Sequence, residues 1–208
     1  ESIADTPRLV LGLEGKLPLD GWTYDAGVTY SKNTVTQLAH NQTSDRLVQN
    51  ALNGIVLNGT LRHLNPFGPN DPLILNYLRI TNPNWDTFEV RGADASLSGP
   101  VFTLPAGTVN LAVGGELRTE DLRNIGTQLN RDGQLVGGGQ ASDTAGDRRL
   151  YSAYAEINVP LLKDSPAGSL ELQLAGRFES YSDFGETTKP KIAAVYRPVP
   201  ELLVRGSF

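Results

Sequence analysis

The chain has 208 residues, no cysteine, two histidines and a formal net charge of −5. Without cysteine it forms no disulfide, thiolate nucleophile or cysteine-based metal site, and its acidic balance argues against a nucleic-acid partner, whose phosphates call for a basic face. No apolar run approaches the roughly 18 residues of a membrane-spanning helix, but a membrane strand needs only about 9–11 residues with every second one facing lipid, so a mean hydropathy of −0.26 is compatible with a barrel.

Eight strands are expected. Arg8–Glu14 places Leu9, Leu11 and Leu13 on one face, and a turn with Pro18, Asp20 and Gly21 follows. Trp22–Ser31 sets Trp22, Tyr24, Ala26, Val28 and Tyr30 against Thr23, Asp25, Gly27, Thr29 and Ser31. A long insertion, about 32–86, precedes a third strand, about Thr87–Leu97, where Gly92 is a candidate bulge. Gly99, Pro100, Pro105 and Gly107 turn the chain into Thr108–Arg118, with Val109, Leu111, Val113 and Leu117 opposite Asn110, Glu116 and Arg118. A second long connection, about 119–147, is rich in Gly, Asn, Asp and Gln. In Arg149–Leu161, Tyr151, Ala153, Ala155, Ile157 and Val159 oppose Ser152, Tyr154, Glu156 and Asn158.

Pro166 and Gly168 lead into the strictest alternation of the chain, Ser169 to Ser180. Leu170, Leu172, Leu174, Gly176 and Phe178 share one face, and Glu171, Gln173, Ala175, Arg177 and Glu179 the other. A connection through Asp183, Gly185 and Pro190 leads to Lys191–Arg197, and Pro198 and Pro200 turn the chain into Leu202–Phe208. With no initiator Met or signal peptide before Glu1, and an end inside an alternating run, the sequence reads as a mature segment or a fragment.

Short and long connections alternate, as in transmembrane barrels, where periplasmic turns are short and extracellular loops long. The segments 32–86 and 119–147 are therefore expected to be extracellular, and 15–21, 98–107, 162–168 and 198–201 periplasmic. This pattern points to membrane transport or adhesion rather than catalysis. The first long loop has structure of its own: Ser44 and Asp45 cap a short helix over Arg46–Asn53 stopped by Gly54. Asp71 and Pro72 open a second over Leu73–Leu78, and Leu64–Pro69 is a rigid turn.

The chemical motifs are sparse. His40 and His63 both fall in that loop; a metal or siderophore contact is one reading, and solvated loop histidines the simpler one. No HExxH, P-loop, nucleophile elbow or paired-carboxylate pattern occurs, and Gly137–Gly139 lacks the Lys-Ser/Thr of a phosphate loop, so it reads as flexible linker. Neither a catalytic residue nor a cofactor is expected. Glu116, Glu156, Glu171 and Glu179 stand on polar faces with Arg118 and Arg177, as charge pairs lining a wet lumen or as the solvent face of a sheet. Trp22, Tyr24, Tyr30, Tyr151 and Tyr196 lie mainly near strand ends on the apolar face, as interfacial girdles do. Asn41-Gln42-Thr43 and Asn58-Gly59-Thr60 match the glycosylation triplet, a match common by chance.

Several of these stretches resemble one family. Phe102–Gly107 (FTLPAG) with Val109–Arg118 (VNLAVGGELR), Phe178–Arg197 (FESYSDFGETTKPKIAAVYR) with Pro198–Phe208 (PVPELLVRGSF), Gly21–Asn33 (GWTYDAGVTYSKN) and the Asn65-Pro66-Phe67-Gly68 turn together are similar to TonB-dependent outer-membrane receptors. The resemblance implies an all-β fold: an antiparallel up-and-down transmembrane β-barrel meander, here about eight strands of a 22-stranded barrel. It implies import of a scarce nutrient such as an iron–siderophore complex or cobalamin across a Gram-negative outer membrane. The implied partners are outer-membrane lipid, an N-terminal plug and the remaining strands of the same protein, and the TonB complex. Neither a plug nor a TonB box is found in residues 1–208, and the cysteine pair that relatives often carry near the N-P-F-G turn is missing. Family ligand-binding residues cannot be carried over.

Two other architectures stay open. A complete eight-stranded barrel could serve as an anchor or adhesin, with Phe208 in register with Leu202 and Val204. A soluble β-sandwich binding module would show the same alternation, because periodicity does not separate lipid from core.

Overall fold

The computed structural model describes the backbone of residues 1–208 and every side chain except that of Asp164. In chain order the elements are β1 (Ser2–Asp5), β2 (Arg8–Lys16), β3 (Thr23–Gln42), α1 (Asp45–Asn53), β4 (Ile55–Leu57), β5 (Thr60–Arg62), α2 (Pro72–Leu78), β6 (Ile80–Leu104), β7 (Gly107–Ile125), α3 (Gln128–Arg131), β8 (Thr144–Ser165), β9 (Gly168–Tyr181), β10 (Gly185–Val199) and β11 (Leu202–Ser207). Nine strands form one sheet in the order β1-β3-β6-β7-β8-β9-β10-β11, with β2 also paired to β3; β4 and β5 form a separate hairpin. From β6 onward, sequential neighbours pair, which makes the all-β meander read from the alternation. Among the described residues β11 has one paired neighbour, so the sheet is open, and no second large sheet exists to make a sandwich.

All eight expected strands are present, but most run further than their apolar pattern. Residues 32–42 of the expected first loop continue β3, residues 80–86 belong to β6, and the loop carries its own β4–β5 hairpin. In the expected second loop, β7 continues to Ile125 and β8 starts at Thr144. The expected turns 98–107 and 162–168 contract to Pro105-Ala106 and Pro166-Ala167, and β10 begins at Gly185 rather than Lys191. A fourth departure is β1, whose register Ser2↔Gln37 through Asp5↔Thr34 pairs with the polar extension of β3. The cause is common to all: backbone pairing demands no apolar face, so a strand that leaves the apolar band keeps its hydrogen bonds while losing its periodicity.

The chain divides into two compact units. The first comprises Glu1–Pro7, Lys32–Glu89 and Asp121–Gly146. In it, α1 has Ser44 as N-cap, with Oγ accepting from the Leu47 amide at 3.4 Å, and ends at Gly54 with φ 102°. Helix α2 is capped by Asp71, which accepts from Leu73 N at 2.8 Å, with Pro72 at its first turn. Ala51 of α1 and Ile74 of α2 are buried. Asn58 (φ 50°) and Gly59 (φ 76°) make the two-residue turn of the β4–β5 hairpin, as left-handed Asn-Gly pairs do. The Leu64–Pro69 turn is held by two asparagines: Asn65 Oδ1 accepts from Phe67 N at 2.9 Å, and Asn70 Nδ2 donates to Asn65 O and Gly68 O. The two long connections meet through a Ser44↔Leu135 bridge, with Asp45 N donating to Gln134 O and Val136 N to Thr43 O.

The second unit comprises Arg8–Ser31, Val90–Glu120 and Asp147–Phe208. Its register keeps the predicted faces. Across β8, β9 and β10, Ile157 opposes Leu174, which opposes Ile192, while Tyr154 opposes Arg177, which opposes Lys189. Leu9, Leu11 and Leu13 of β2 oppose Tyr30, Val28 and Ala26 of β3. Apart from the buried Val109 and Leu150, the large apolar side chains of this unit are mostly open: Leu13 is 63% and Leu117 55% exposed. The opposite face holds the buried polar residues Ser152 and Glu179, which are 9% and 6% exposed. A water-soluble sheet buries its apolar side, so this distribution is inside out for water and correct for lipid.

Candidate functional site

The polar face of β7 to β10 gathers alternating charges into one chain of contacts. On β7, Arg118 Nε lies 3.3 Å from both Glu116 Oε1 and Glu120 Oε1. Glu120 also pairs with Arg148 of β8, whose Nε reaches Oε2 at 3.1 Å. Arg177 of β9 reaches Glu116 Oε2 at 3.5 Å and Glu179 Oε1 at 2.8 Å, and its Nη2 donates to Ser152 Oγ at 3.4 Å. Lys189 of β10 completes the run, 3.0 Å from Glu179 Oε2. Alternation places these residues on one side of adjacent strands, and a strand spacing of about 4.8 Å is within reach of Arg and Glu side chains.

A smaller polar group lies along the same strands. Gln173 donates to Glu156 Oε1, and Lys191 Nζ donates to Gln173 Oε1 at 3.5 Å. Beyond the charges, Arg148 stands 5.6 Å over the Tyr181 ring, which stacks on Phe184 at 4.1 Å. Such a face offers cations and anions at fixed intervals to a hydrated partner, and it contains no nucleophile–base pair.

The structure thus brings Glu116, Arg118, Arg177 and Glu179 together, links Glu156 to Gln173, which in turn accepts from Lys191, and leaves Glu171 exposed. Three members were missed from sequence. Glu120 fell in the expected second loop, Arg148 between that loop and the strand expected from Arg149, and Lys189 in a connection. Their signal was the continued two-residue spacing Glu116-x-Arg118-x-Glu120, which persists after the apolar partner positions stop.

In the first unit the polar groups are mainly amides. Thr127 Oγ1 lies 2.6 Å from Asn82 Oδ1 and 2.7 Å from Asn130 Oδ1, and Asn82 Nδ2 donates to Asn130 Oδ1 at 2.8 Å. Asp86 accepts from Gln37 Nε2 at 2.9 Å and from Asn124. Arg131 holds Asp143 at 3.0 Å and donates to Gly126 O at 2.8 Å. The histidines are used locally. His40 contacts Thr81 Oγ1 at 3.0 Å and Glu1 Oε2 at 3.3 Å, and His63 contacts Leu52 O at 3.3 Å. Among the described residues no cluster of three or more His, Cys, Asp or Glu side chains could hold a metal ion.

The aromatic residues expected at the ends of the apolar band are anchored there. Trp22 Nε1 donates to Pro100 O at 3.1 Å and Tyr196 OH to Ala167 O at 2.8 Å, both beside short turns. Tyr30 lies within β3 opposite Leu9, and Tyr151 within β8 opposite Ser180, Tyr151 being exposed.

Residues 3–208 match the family model described as TonB dependent receptor-like, beta-barrel. No curated protein matches the chain.

Proposed function

From the premise that the chain belongs to the TonB-dependent receptor β-barrel family, we propose that it forms part of the wall of an outer-membrane transporter importing a scarce nutrient such as an iron–siderophore complex. In this reading the apolar side faces outer-membrane lipid and the charged face looks into the barrel. The connections 43–79 and 126–143 face outward and meet the nutrient, and the short turns face the periplasm. The plug, the other strands and the TonB complex that supplies energy complete the machine. Differential contacts of the ligand with two loop arrangements would couple capture to plug movement.

The observation that carries this is the inverted burial of the second unit, with Leu13 and Leu117 open while Glu179 and Ser152 are covered. Lipid accounts for both halves of that pattern. An open strand order argues against a closed eight-stranded adhesin, and the lack of a covering sheet argues against a sandwich.

The test is uptake by cells that carry the whole natural protein, using a panel of labelled ferric siderophores. Uptake should be saturable and should stop when the TonB complex is removed. Uptake that persists without TonB refutes the proposal, and TonB-dependent uptake of a different nutrient corrects the substrate.

A further inference from the structure

We infer that Asn58 is a site of spontaneous covalent modification, where the side-chain amide is lost through a cyclic imide and the chain ages into aspartate and isoaspartate. The inference is independent of the transport reading and needs only water as co-reactant. Asparagine precedes glycine at two places, Asn53-Gly54 and Asn58-Gly59. Glycine, having no Cβ, leaves its own amide nitrogen open to attack the asparagine side chain before it. The sequence thus offers two equal candidates within one short stretch.

The structure separates them. Asn53 is the last residue of α1, and its Oδ1 accepts from Gln49 Nε2 at 3.0 Å. The end of that helix is clamped: Leu64 N donates to Ala51 O at 2.8 Å, and the His63 ring contacts Leu52 O at 3.3 Å. The same ring lies against Gly54, where a Cβ would come 2.6 Å from its Cε1. Swinging the Asn53 amide onto the Gly54 nitrogen therefore breaks a hydrogen bond and enters occupied space.

Asn58 is held by none of this. With Gly59 it forms the exposed tip of the β4–β5 hairpin. Its side chain makes no hydrogen bond among the described residues, the Gly59 N–H is given to no backbone carbonyl, and a Cβ on Gly59 would meet nothing within 4 Å. Asn58 sits at φ 50°, a left-handed conformation that strains an L-residue. The hairpin has three residues a side and stands as a sheet by itself, and isolated two-stranded hairpins are marginal. Opening the tip relieves the strained φ and lets the backbone rotate to the angle of attack.

In the step itself the Gly59 nitrogen gives its proton to hydroxide and bonds to Asn58 Cγ. The Cγ–Nδ2 bond breaks, and Nδ2 leaves as ammonia with a proton from water. Water then opens the imide. Addition at Cγ gives aspartate, and addition at the Asn58 carbonyl carbon gives isoaspartate, whose main chain is one methylene longer. No electron is gained or lost. Either product adds a negative charge to the tip. Isoaspartate also breaks the turn, because a two-residue loop fixes the pairing Leu57↔Thr60 and has no room for another backbone atom. Arg62 at the base of β5 pairs with Asp71, the cap of α2, so the change reaches the second helix.

The experiment incubates the whole natural protein, folded in neutral detergent, at mildly alkaline pH in heavy-oxygen water. Brief trypsin digestion then releases Leu47–Arg62, a single peptide that holds both sites. Electron-transfer fragmentation assigns the incorporated label and distinguishes aspartate from isoaspartate. Asn58 should convert about tenfold faster than Asn53 or more, with isoaspartate among its products. In the urea-unfolded chain the two should convert at similar rates, because the contacts that distinguish them are gone. Equal rates in the folded protein, faster conversion at Asn53, or an Asn58 that stays intact over the time in which the unfolded chain converts overturns the proposal. The same ratio in the unfolded chain overturns its structural ground.

Discussion

Arg177 stands directly across from Lys189 in the β9–β10 register, and Glu179 accepts from both, at 2.8 Å and 3.0 Å. Opposed like charges destabilise a sheet, so the carboxylate of Glu179 is what makes this pairing tenable. Glu179→Gln should lower the unfolding midpoint in urea of the barrel refolded into lipid vesicles. Adding Lys189→Met to that variant should recover part of the loss, because it removes one of the two opposed cations. A loss that the second substitution deepens or leaves unchanged would show that Glu179 acts through something other than this pair.

The two sides of β9 should differ in their tolerance of charge. Leu172 lies mid-strand on the apolar side, opposite Val159 and Ala194, and Gln173 on the polar side, opposite Asn158 and Ala193. Leu172→Arg should cost roughly 2–4 kcal/mol in a vesicle folding assay, as cationic residues do near the bilayer midplane. Gln173→Arg should cost far less. Equal tolerance would mean that the apolar side does not face lipid.

Glycine positions give an independent check on packing. A Cβ on Gly99 would sit 2.5 Å from Cγ of Trp22, close to the root of the ring, whereas one on Gly176 would meet nothing within 4 Å. Gly99→Ala should force Trp22 away from Pro100 O and cost about 1–3 kcal/mol, as overpacking does. Gly176→Ala should be neutral or slightly stabilising. The indole emission of Trp22, read in a Trp85→Phe background, should shift in the first variant and not in the second.

Limited proteolysis should begin within residues 132–143. This stretch between α3 and β8 is mainly exposed, and Gly137 and Gly139 have open space around them. Proteinase K fragments sized by mass spectrometry would check it, and early cuts between Leu170 and Phe178 would contradict the pairing of β9 with both neighbours.

The comparison between sequence and structure turns on what alternation reports. Leu170 to Phe178 declared strand and facing at once, because a pleated strand with one lipid-like side leaves a period of two. The caps of α1 and α2 were equally legible, since Ser44 and Asp71-Pro72 satisfy helix amides through local chemistry. The charged face was half legible: Glu116, Arg118, Arg177 and Glu179 stood inside the alternating runs, and Glu120, Arg148 and Lys189 just outside them.

By itself, then, the sequence determined which segments are strands in the apolar band, which side each residue takes, and where the helices in the long connection begin. All of these follow from interactions between residues near one another along the chain. Only the tertiary structure decided how far β3, β6 and β7 extend, that β1 pairs with β3, and which charges join into one network. Those outcomes depend on hydrogen bonds and ion pairs between residues such as Ser2 and Gln37, or Glu116 and Arg177, that are distant in sequence and share no pattern a one-dimensional period can reveal.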